Sequence, residues 1–542
     1  MDKTSNCFSF LNVGKKAQKI VVTFLVLGYA LSWVSMSDAV VVGHLEHDHN
    51  VCNLTTYPNL CAETLMEFGS GKQNIDDNIV SLVNKTIFET NLPSSYFAEF
   101  KSENAQPSHS VVADYCEELM SMSLMRLDQS LRALKSPKRN TNDIQTWLSA
   151  SLTFQQSCKD HVHAHTSKPS SDDLMQRMSN KMDYLSRLGS NSLALVNQMS
   201  TTKLGADYEK EHEFPKWVSS AGRKLLQGAT IKANVIVAQD GSGNYKTVSE
   251  AIEAATGSRF VIYVKEGVYK EKIRTSKDGI TLIGDGKYST LIVGDDSVAQ
   301  GATLPGSSTF TITGDGFIAR DISFHNNAGP AGEQAVALHI ASDHAVLFRC
   351  TIAGYQDTLY AHALRQFYRD CDIYGTVDFI FGNAAAVLQR STLFLRRPRP
   401  GAYNAVLANG RTDAGQNTGF SVHKCSIVPS SDFSPVKHSY ASFLGRPWKE
   451  YSRAVVMESV IDDAVAARGW IQWPGYGSSV LKSLYFAEYG NEGPSAGTAK
   501  RVQWPGFHVL QAQDAAKFTV AAFIGGNSWI PSTGVAFISG LI

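Results

Sequence analysis

A short apolar sequence motif recurs at a nearly constant spacing through the second half of the chain. Five copies of it begin at Ile322, Cys350, Cys371, Ser391 and Cys425. The three middle copies start 21 and 20 residues apart, and the outer gaps are longer. A short strand that recurs about every 20 to 30 residues is typical of a solenoid whose coils stack in register. The pattern therefore predicts stacked parallel strands in this half.

The solenoid half opens with β-rich runs that Gly and Asp turns separate. We predict early strands at residues 235–238, 260–264, 280–283 and 309–313. A helix at 248–255 is expected to cap the open end and hide its edge. The aromatic tail after Gly493 is expected to fold back over the barrel.

Residues 50–200 carry a different pattern, in which apolar residues recur at helical spacing and Gly and Pro are few. Four runs show this spacing: 76–90, 111–133, 144–156 and 174–198. Four amphipathic helices of this length predict an up-and-down bundle. Cys52 and Cys61 bracket a short hairpin here, and Cys116 and Cys158 lie on separate helices. Two disulfides are expected in a secreted chain, although the sequence alone allows three pairings.

Composition narrows the class of protein. The chain has 542 residues, enough for two or more domains, and it contains 43% hydrophobic and 18% charged residues. Lys plus Arg and Asp plus Glu both number 50, so the formal net charge is zero. Without a basic excess, no nucleic-acid partner is expected.

The N-terminus departs from this even composition. Three lysines within residues 15–19 precede an apolar run over residues 20–36. The segment is interpreted as a secretory signal peptide or, alternatively, as a signal-anchor. Either interpretation sends the chain into the secretory pathway, where Asn53 and Asn84 are glycosylation acceptors in Asn-x-Thr sequences. We therefore expect a secreted protein.

Two aspartates are separated by about one coil of the predicted solenoid. Asp357 and Asp378 are 21 residues apart, and Gln334 precedes Gln356 by 22 residues. Equivalent positions on stacked coils lie about 4.8 Å apart, so these side chains are expected to meet on one face. Two like charges at that distance retain one proton, which supplies an acid together with a nucleophile or base. The alternative is that both aspartates cap turns at the coil corners.

Five segments resemble signature sequences of plant pectin methylesterases. They are residues 267–271, 334–338, 355–360, 378–383 and 444–448, in the order of the family. The resemblance covers nearly all of 230–542 and implies a mainly β fold, a right-handed parallel β-helix that hydrolyses methyl esters of homogalacturonan. Residues 50–200 are similar to the inhibitor domain of these enzymes. That similarity implies an all-α four-helix bundle with the disulfides Cys52–Cys61 and Cys116–Cys158.

The resemblance also implies roles for the central residues. Asp378 is the nucleophile that attacks the ester carbonyl, and Asp357 is the proton donor to methanol and then the base for water. Gln356 stabilises the oxyanion, and Arg446 hydrogen-bonds the nucleophile and keeps it ionised. No metal and no other cofactor is expected.

Further positions match substrate-contacting residues of the family: Thr303, Gln334, Arg446 and Trp448. The match at Thr303 needs a one-residue gap before Gly314. Nearby aromatic residues are additional candidates for stacking on sugar rings: Tyr360, Phe379, Trp470 and Trp473. In the strand column that begins at Cys350, a regular ladder seldom supplies disulfide geometry. Free, buried thiols are therefore expected at Cys350, Cys371 and Cys425, and the alternative is a disulfide between Cys371 and Cys350.

These observations divide the chain into a signal segment (1–40), an inhibitor-like bundle (46–203), a linker (204–228) and the β-helix domain (229–542). The linker carries Arg223-Lys224-Leu225-Leu226, which resembles the processing motif of the family and implies cleavage by a subtilisin-like protease. The bundle is then an autoinhibitory pro-region. The other implied partners are methylesterified homogalacturonan and a proteinaceous inhibitor, and the enzyme is expected to act as a monomer in the cell wall.

Two other functions fit parts of the sequence. A pectate lyase or polygalacturonase could share the solenoid, but a lyase would need Ca²⁺ and a basic proton acceptor. A non-enzymatic alternative is an inactive solenoid that serves as an inhibitor. The complete set of Asp357, Asp378 and Arg446 argues against it.

Overall fold

The computed structural model describes residues 51–68, 74–102, 106–166, 172–201 and 233–542. These residues form an all-α part followed by a mainly β part. The signal segment, the linker and its processing motif lie outside the described residues. Within the described ranges, no helix combines the length and the apolar character needed to cross a bilayer.

Among the described residues, the N-terminal part contains six helices: α1 (Pro58–Phe68), α2 (Ile75–Thr90), α3 (Ser94–Phe100), α4 (Pro107–Leu134), α5 (Thr141–Ala164) and α6 (Asp173–Thr201). The four long helices α2, α4, α5 and α6 pack on one another as a bundle. The helical period of α6 places Met178, Met182 and Leu185 in the fully buried core, as predicted.

Helix α5 is longer than the sequence pattern predicts. The predicted run ends at Gln156, but the helix continues to Ala164 because Cys158 and Val162 extend its buried face through a polar stretch. Asn140 caps the start by accepting the backbone N–H of Asn142 at 3.0 Å. The additional turns carry side chains that reach the β-helix.

Among the described residues, two disulfides cross-link the helical part. Cys52 and Cys61 are joined with their Cα atoms 5.6 Å apart, and Cys116 of α4 is joined to Cys158 of α5 at 4.9 Å. These are the pairs that the family resemblance implies. Both glycosylation candidates lie in this part: Asn53 is exposed, and Asn84 is half-buried on α2.

Parallel strands form three sheets that wind into a β-helix. The first sheet contains Val235–Val237, Phe260–Val264, Ile280–Gly284, Ile318–Arg320, Ala345–Phe348, Arg365–Arg369, Ala385–Gln389, Gly419–His423, Arg453–Met457, Tyr485–Tyr489 and Phe507–Val509. The second contains Ile273–Thr275, Phe310–Ile312, Leu338–Ile340, Leu359–Ala361, Ile380–Gly382, Asn404–Asn409 and Ser442–Gly445. The third contains Gly267–Lys270, Thr290–Gly294, Ser323–Asn326, Thr351–Ala353, Asp372–Gly375, Thr392–Leu395, Ser426–Pro429 and Val460–Ile461.

The recurring apolar motif lies at one corner of each coil, where a strand of the third sheet begins. The register of the third sheet stacks Cys350, Cys371, Ser391 and Cys425 in one column. Among the described residues these three cysteines are free and buried, as expected. The residue before each corner position adopts a positive φ, which the apolar pattern does not reveal: Asp321, Arg349, Asp370, Arg390, Lys424 and Glu458.

Both ends of the β-helix are covered. Helix α7 (Val248–Glu253) caps the first coil, and a capping box between Thr247 and Glu250 fixes its start. Three short helices follow near the C-terminus: α8 (Val480–Ser483), α9 (Ala512–Ala515) and α10 (Val520–Ile524). Helix α10 and Trp529 pack on the outer face of the first sheet, so the tail folds back as predicted.

The bundle packs on the outer side of the second sheet. Three apolar residues come just after two strands of that sheet: Ala341 follows Leu338–Ile340, and Ala363 and Leu364 follow Leu359–Ala361. They belong to one apolar cluster with Phe154 and Met178 of the bundle. The two parts of the chain therefore bury a common hydrophobic surface.

Candidate active site

Asp357 and Asp378 occupy equivalent positions on neighbouring coils. Each lies two residues before a strand of the second sheet, and the pairing of Leu359 with Ile380 aligns the two carboxylates. They are 8% and 4% exposed. Both adopt a left-handed backbone, with φ of 60° and 52°. Asp tolerates this conformation better than most residues, and such strain concentrates at functional sites.

Arg446 binds one of the two carboxylates. It follows the strand Ser442–Gly445, and its Nε donates to Asp378 Oδ1 at 2.8 Å while Nη2 donates to Oδ2 at 2.6 Å. Both residues are buried. This fork-like pairing is stronger and more directional than a single hydrogen bond. The arginine therefore fixes the orientation of the Asp378 carboxylate.

The two carboxyl groups differ in how readily they ionise. Burial, followed by the charge of Asp378, raises the pKa of Asp357 well above its usual value of 3.8. Burial also raises the pKa of Asp378, but the hydrogen bonds and positive charge of Arg446 oppose this rise. A proton held by the pair is therefore favoured on Asp357, and Asp378 is the group that ionises first.

Gln334 and Gln356 extend the cluster to the preceding coil. The two glutamines form a parallel bridge, which is the alignment that their spacing predicts. Gln356 directly precedes Asp357 and lines a cavity together with Arg446. A carboxamide N–H group at this place can donate to an oxyanion.

The cavity has a volume of about 560 Å³. This value falls within the roughly 300–1,000 Å³ of small-ligand sites. The described residues that line it all belong to the β-helix: Pro330, Gln356, Thr376, Val377, Pro398, Arg399, Pro400, Gly401, Ala402, Tyr403 and Arg446. A ligand in this cavity reaches the side of the site that holds Gln356 and Arg446.

Three aromatic residues form a second surface beside the carboxylates, here called the aromatic floor: Tyr360, Phe381 and Trp448. The rings of Tyr360 and Phe381 stack with centroids 4.5 Å apart, and Trp448 meets Phe381 edge-on at 6.0 Å. The Trp448 ring also lies against Gly410, where a Cβ atom would stand 2.8 Å from it. The glycine therefore provides the space that the indole occupies.

The remaining sequence candidates separate into different environments. Phe379 and Trp470 are fully buried inside the β-helix, so the prediction that they stack on sugar rings is wrong. Phe379 directly precedes the strand Ile380–Gly382 in a run of consecutive apolar residues, so the sequence does not show which of them point inward. Trp473 stacks on the guanidinium of Arg446 at 3.9 Å. Thr303 lies in a turn, where its hydroxyl accepts a backbone N–H at 3.0 Å.

Helix α5 covers the aromatic floor. Ser157 Oγ forms a hydrogen bond with His362 Nε2 at 2.8 Å, and Lys449, which follows Trp448, donates to Asp160 at 2.5 Å. The space that remains between helix and floor is about 10 Å³. The cavity beside Gln356 and Arg446, by comparison, measures about 560 Å³, and small-ligand sites span roughly 300–1,000 Å³, so no sugar ring fits between helix and floor.

Ion pairs of two buried arginines anchor the bundle at the edge of this contact, and the sequence pattern does not reveal them. Arg126 of α4 donates to both carboxylate oxygens of Asp315, at 2.6 and 2.7 Å. Arg365 bridges Asp143 of α5 at 2.5 Å and Asp343 of the β-helix at 2.7 Å. Removing one partner of a buried pair typically costs about 3–5 kcal/mol. The bundle is therefore held by specific charges as well as by apolar packing.

Comparison with known proteins gives matches over both parts of the chain. Residues 234–527 match the family model "Pectinesterase", and residues 49–195 match "Plant invertase/pectin methylesterase inhibitor". "Probable pectinesterase/pectinesterase inhibitor 54" of Arabidopsis thaliana is 50% identical over 483 residues, which is 86% of this chain and 88% of that protein.

Two further matches agree with these. "Pectinesterase 1" of Solanum lycopersicum is 39% identical over 540 residues, with 97% of each chain covered. The solved structure of a pectin methylesterase from carrot is 48% identical with a TM-score of 0.57, and it covers 58% of this chain and 100% of its own. The chain therefore belongs to the pectinesterase family and carries an N-terminal domain of the plant invertase/pectin methylesterase inhibitor family.

Proposed function

We propose that the chain hydrolyses methyl esters of homogalacturonan, releases methanol and leaves free galacturonate carboxylates. The observation that carries this proposal is the buried, aligned pair of Asp357 and Asp378, of which Arg446 binds only Asp378 among its carboxylate contacts in the described residues. Membership of the pectinesterase family supports pectin as the substrate.

In the first half of the reaction, the Asp378 carboxylate attacks the C6 carbonyl of the ester. A bond forms between Asp378 Oδ and C6, and the negative charge moves to the carbonyl oxygen, where the Gln356 amide donates a hydrogen bond. The C6–OCH₃ bond then breaks, and Asp357 gives its proton to the departing methoxide. Methanol leaves, and a mixed anhydride with Asp378 remains.

In the second half, water hydrolyses the anhydride. Asp357, now a carboxylate, accepts a proton from water as its oxygen attacks C6. The C6–O bond to Asp378 breaks, which returns Asp378 to the carboxylate that Arg446 stabilises. Asp357 is again protonated, and the product is the free acid.

Methanol release from methylated pectin tests this function, measured on the full chain and on the chain cleaved in the linker, with a chelator present. We expect methanol and free carboxylate in equal amounts, with no rise in unsaturated-uronide absorbance. Unsaturated product would indicate a lyase, and new reducing ends without methanol would indicate a polygalacturonase.

A serine esterase is a further alternative, because residues 493–497 read Gly-Pro-Ser-Ala-Gly. A nucleophilic serine of this type stands on a sharp turn between a strand and a helix. Ser495 instead lies in a loop, and its hydroxyl donates to the backbone carbonyl of Val465 at 2.7 Å. This contact favours a structural role for Ser495.

We also propose that the bundle is an autoinhibitory pro-region. Helix α5 fills the space above the aromatic floor, where a sugar of the polymer would otherwise bind. A tethered domain can reach an effective concentration in the millimolar range, so even weak binding keeps it in place. A separate inhibitor protein of the same fold would compete for the same surface.

Loosening the two ion-pair anchors should release this inhibition. In the full chain, the double variant Arg126→Ala with Asp143→Ala is expected to raise methanol release at least about tenfold, because each substitution breaks an ion pair that joins the bundle to the β-helix. The matched control is Arg132→Ala with Asp128→Ala, which removes an exposed pair on α4. All four substituted residues belong to the bundle, so neither double variant alters the cleaved and separated β-helix domain. An unchanged rate in the full-length anchor variant, with folding verified, would refute autoinhibition at this surface.

We propose that cleavage after Leu226 produces the active form, which is exported to the cell wall, and that Asn53 and Asn84 carry glycans on the pro-region. Replacing Arg223 and Lys224 with Gln is expected to leave an unprocessed precursor within the secretory pathway. Immunoblots of cell and wall fractions measure this directly. Secretion of a fully active, shortened enzyme from that variant would contradict the proposal.

A further inference from the structure

Arg446 is held on more sides than the pairing with Asp378 requires. Its Nη1 donates to the hydroxyl of Tyr403 at 2.5 Å. The indole of Trp473 lies over the guanidinium carbon at 3.9 Å. Three residues thus contact different parts of one guanidinium. Asp378 accepts from Nε and Nη2, Tyr403 accepts from Nη1, and the Trp473 ring covers one face.

The segment that carries Trp473 is itself attached to the Arg446 loop. The backbone N–H of Ile471 donates to Gly445 O at 3.1 Å, immediately before Arg446. The Tyr476 hydroxyl donates to the backbone carbonyl of Trp448 at 2.7 Å, two residues after it. One short segment therefore contacts the arginine, the residue before it and the substrate-binding candidate that follows.

An arginine side chain has several rotatable bonds and loses much conformational entropy when it is fixed. A ring stacked on its plane, together with a hydrogen bond to the third nitrogen, restricts the guanidinium to one orientation. That orientation directs two hydrogen bonds of the guanidinium to Asp378. If Arg446 moved, the preference for a carboxylate at Asp378 would weaken.

We propose that Trp473 and Tyr403 are positioning residues that act through Arg446 to keep Asp378 ionised and aimed. This inference rests on the proposed two-carboxylate mechanism. It assigns Trp473 a role different from stacking on a sugar ring, since one face of its indole is occupied by the guanidinium.

The test compares Trp473→Ala, Trp473→Phe and Tyr403→Phe, assayed on the full chain and on the chain cleaved in the linker. Trp473→Ala is expected to lower kcat roughly 10- to 30-fold, the scale of a desolvated cation–π contact, with KM changed less than about twofold. The acidic limb of the kcat profile should move to higher pH, because a looser arginine lowers the pKa of Asp378 less. Trp473→Phe, which keeps a ring over Arg446, should recover most of both effects.

Tyr403→Phe is expected to lower kcat about tenfold with the same direction of pH shift, since it removes a hydrogen bond to a charged group. The matched control is Tyr288→Phe, which removes a tyrosine hydroxyl bonded to Asp372, a residue of the third sheet outside the proposed machinery. This control should leave kcat and its pH profile unchanged.

A rise in KM with an unmoved acidic limb in Trp473→Ala would assign Trp473 to sugar binding and overturn the inference. An unchanged kcat in both Trp473→Ala and Tyr403→Phe would overturn it as well. Absence of methanol release from the wild-type protein would instead reject the proposed function. If Trp473→Ala fails to fold, Tyr403→Phe still decides the question, because it changes only one oxygen atom.

Discussion

Replacing Asp378 with asparagine is expected to abolish methanol release. Asparagine preserves the shape of the side chain and tolerates the left-handed backbone at this position, where φ is 52°. It cannot form the anhydride, because an uncharged amide is a poor nucleophile. Loss of a covalent nucleophile costs on the order of 10⁶-fold in a well-studied hydrolase, so the residual rate should lie at the detection limit.

The matched control for this substitution is Asp370→Asn. Asp370 shares the left-handed backbone, with φ of 52°, but its carboxylate pairs with Arg369 and Arg390 away from the site. This control should retain full activity. Near wild-type turnover in a correctly folded Asp378→Asn protein would show that the reaction does not pass through Asp378.

Replacing Asp357 with asparagine is expected to lower kcat about 10²- to 10⁴-fold, the usual range for loss of a general acid–base. Asp378 can still attack, but methoxide must leave without a proton from Asp357. The hydrolytic water also loses its base. Rates of methanol release by the folded variant measure the effect, and a loss of less than about tenfold would contradict the assigned role.

The same pair predicts how the rate depends on pH. Activity falls at low pH because Asp378 becomes protonated, and it falls at high pH because Asp357, whose pKa is raised by burial and by Asp378, loses its proton. The wild-type profile is therefore bell-shaped. In Asp357→Asn the alkaline limb should disappear, since the amide does not titrate. Persistence of that limb would assign it to another group.

The coil period explains why much of the site could be predicted from the sequence. In-register stacking converts a spacing of 21 residues into adjacency, so the alignment of Asp357 with Asp378 follows from counting. The bridge between Gln334 and Gln356 follows in the same way. Helical spacing likewise predicts the core face of α6, because a packed face requires a regular period.

The contacts that escaped prediction join segments with no common period. Tyr403 and Trp473 approach Arg446 from irregular stretches of different coils, and nothing in their spacing links them to it. Arg126 and Asp315, which pair across the two domains, are 189 residues apart in the chain. The prediction for Phe379 was wrong for another reason: residues 379–381 are all apolar, so the sequence does not tell which of them is interior.

The central claim is that Asp357 keeps the proton while Asp378 remains the carboxylate bound by Arg446, and infrared difference spectroscopy tests it most directly. At neutral pH the wild-type protein should show the carbonyl stretch of a protonated, buried carboxylic acid. That band should vanish in Asp357→Asn, because the remaining carboxylate, Asp378, is bound by Arg446. A band that survives in Asp357→Asn would place the proton on Asp378 and contradict the account.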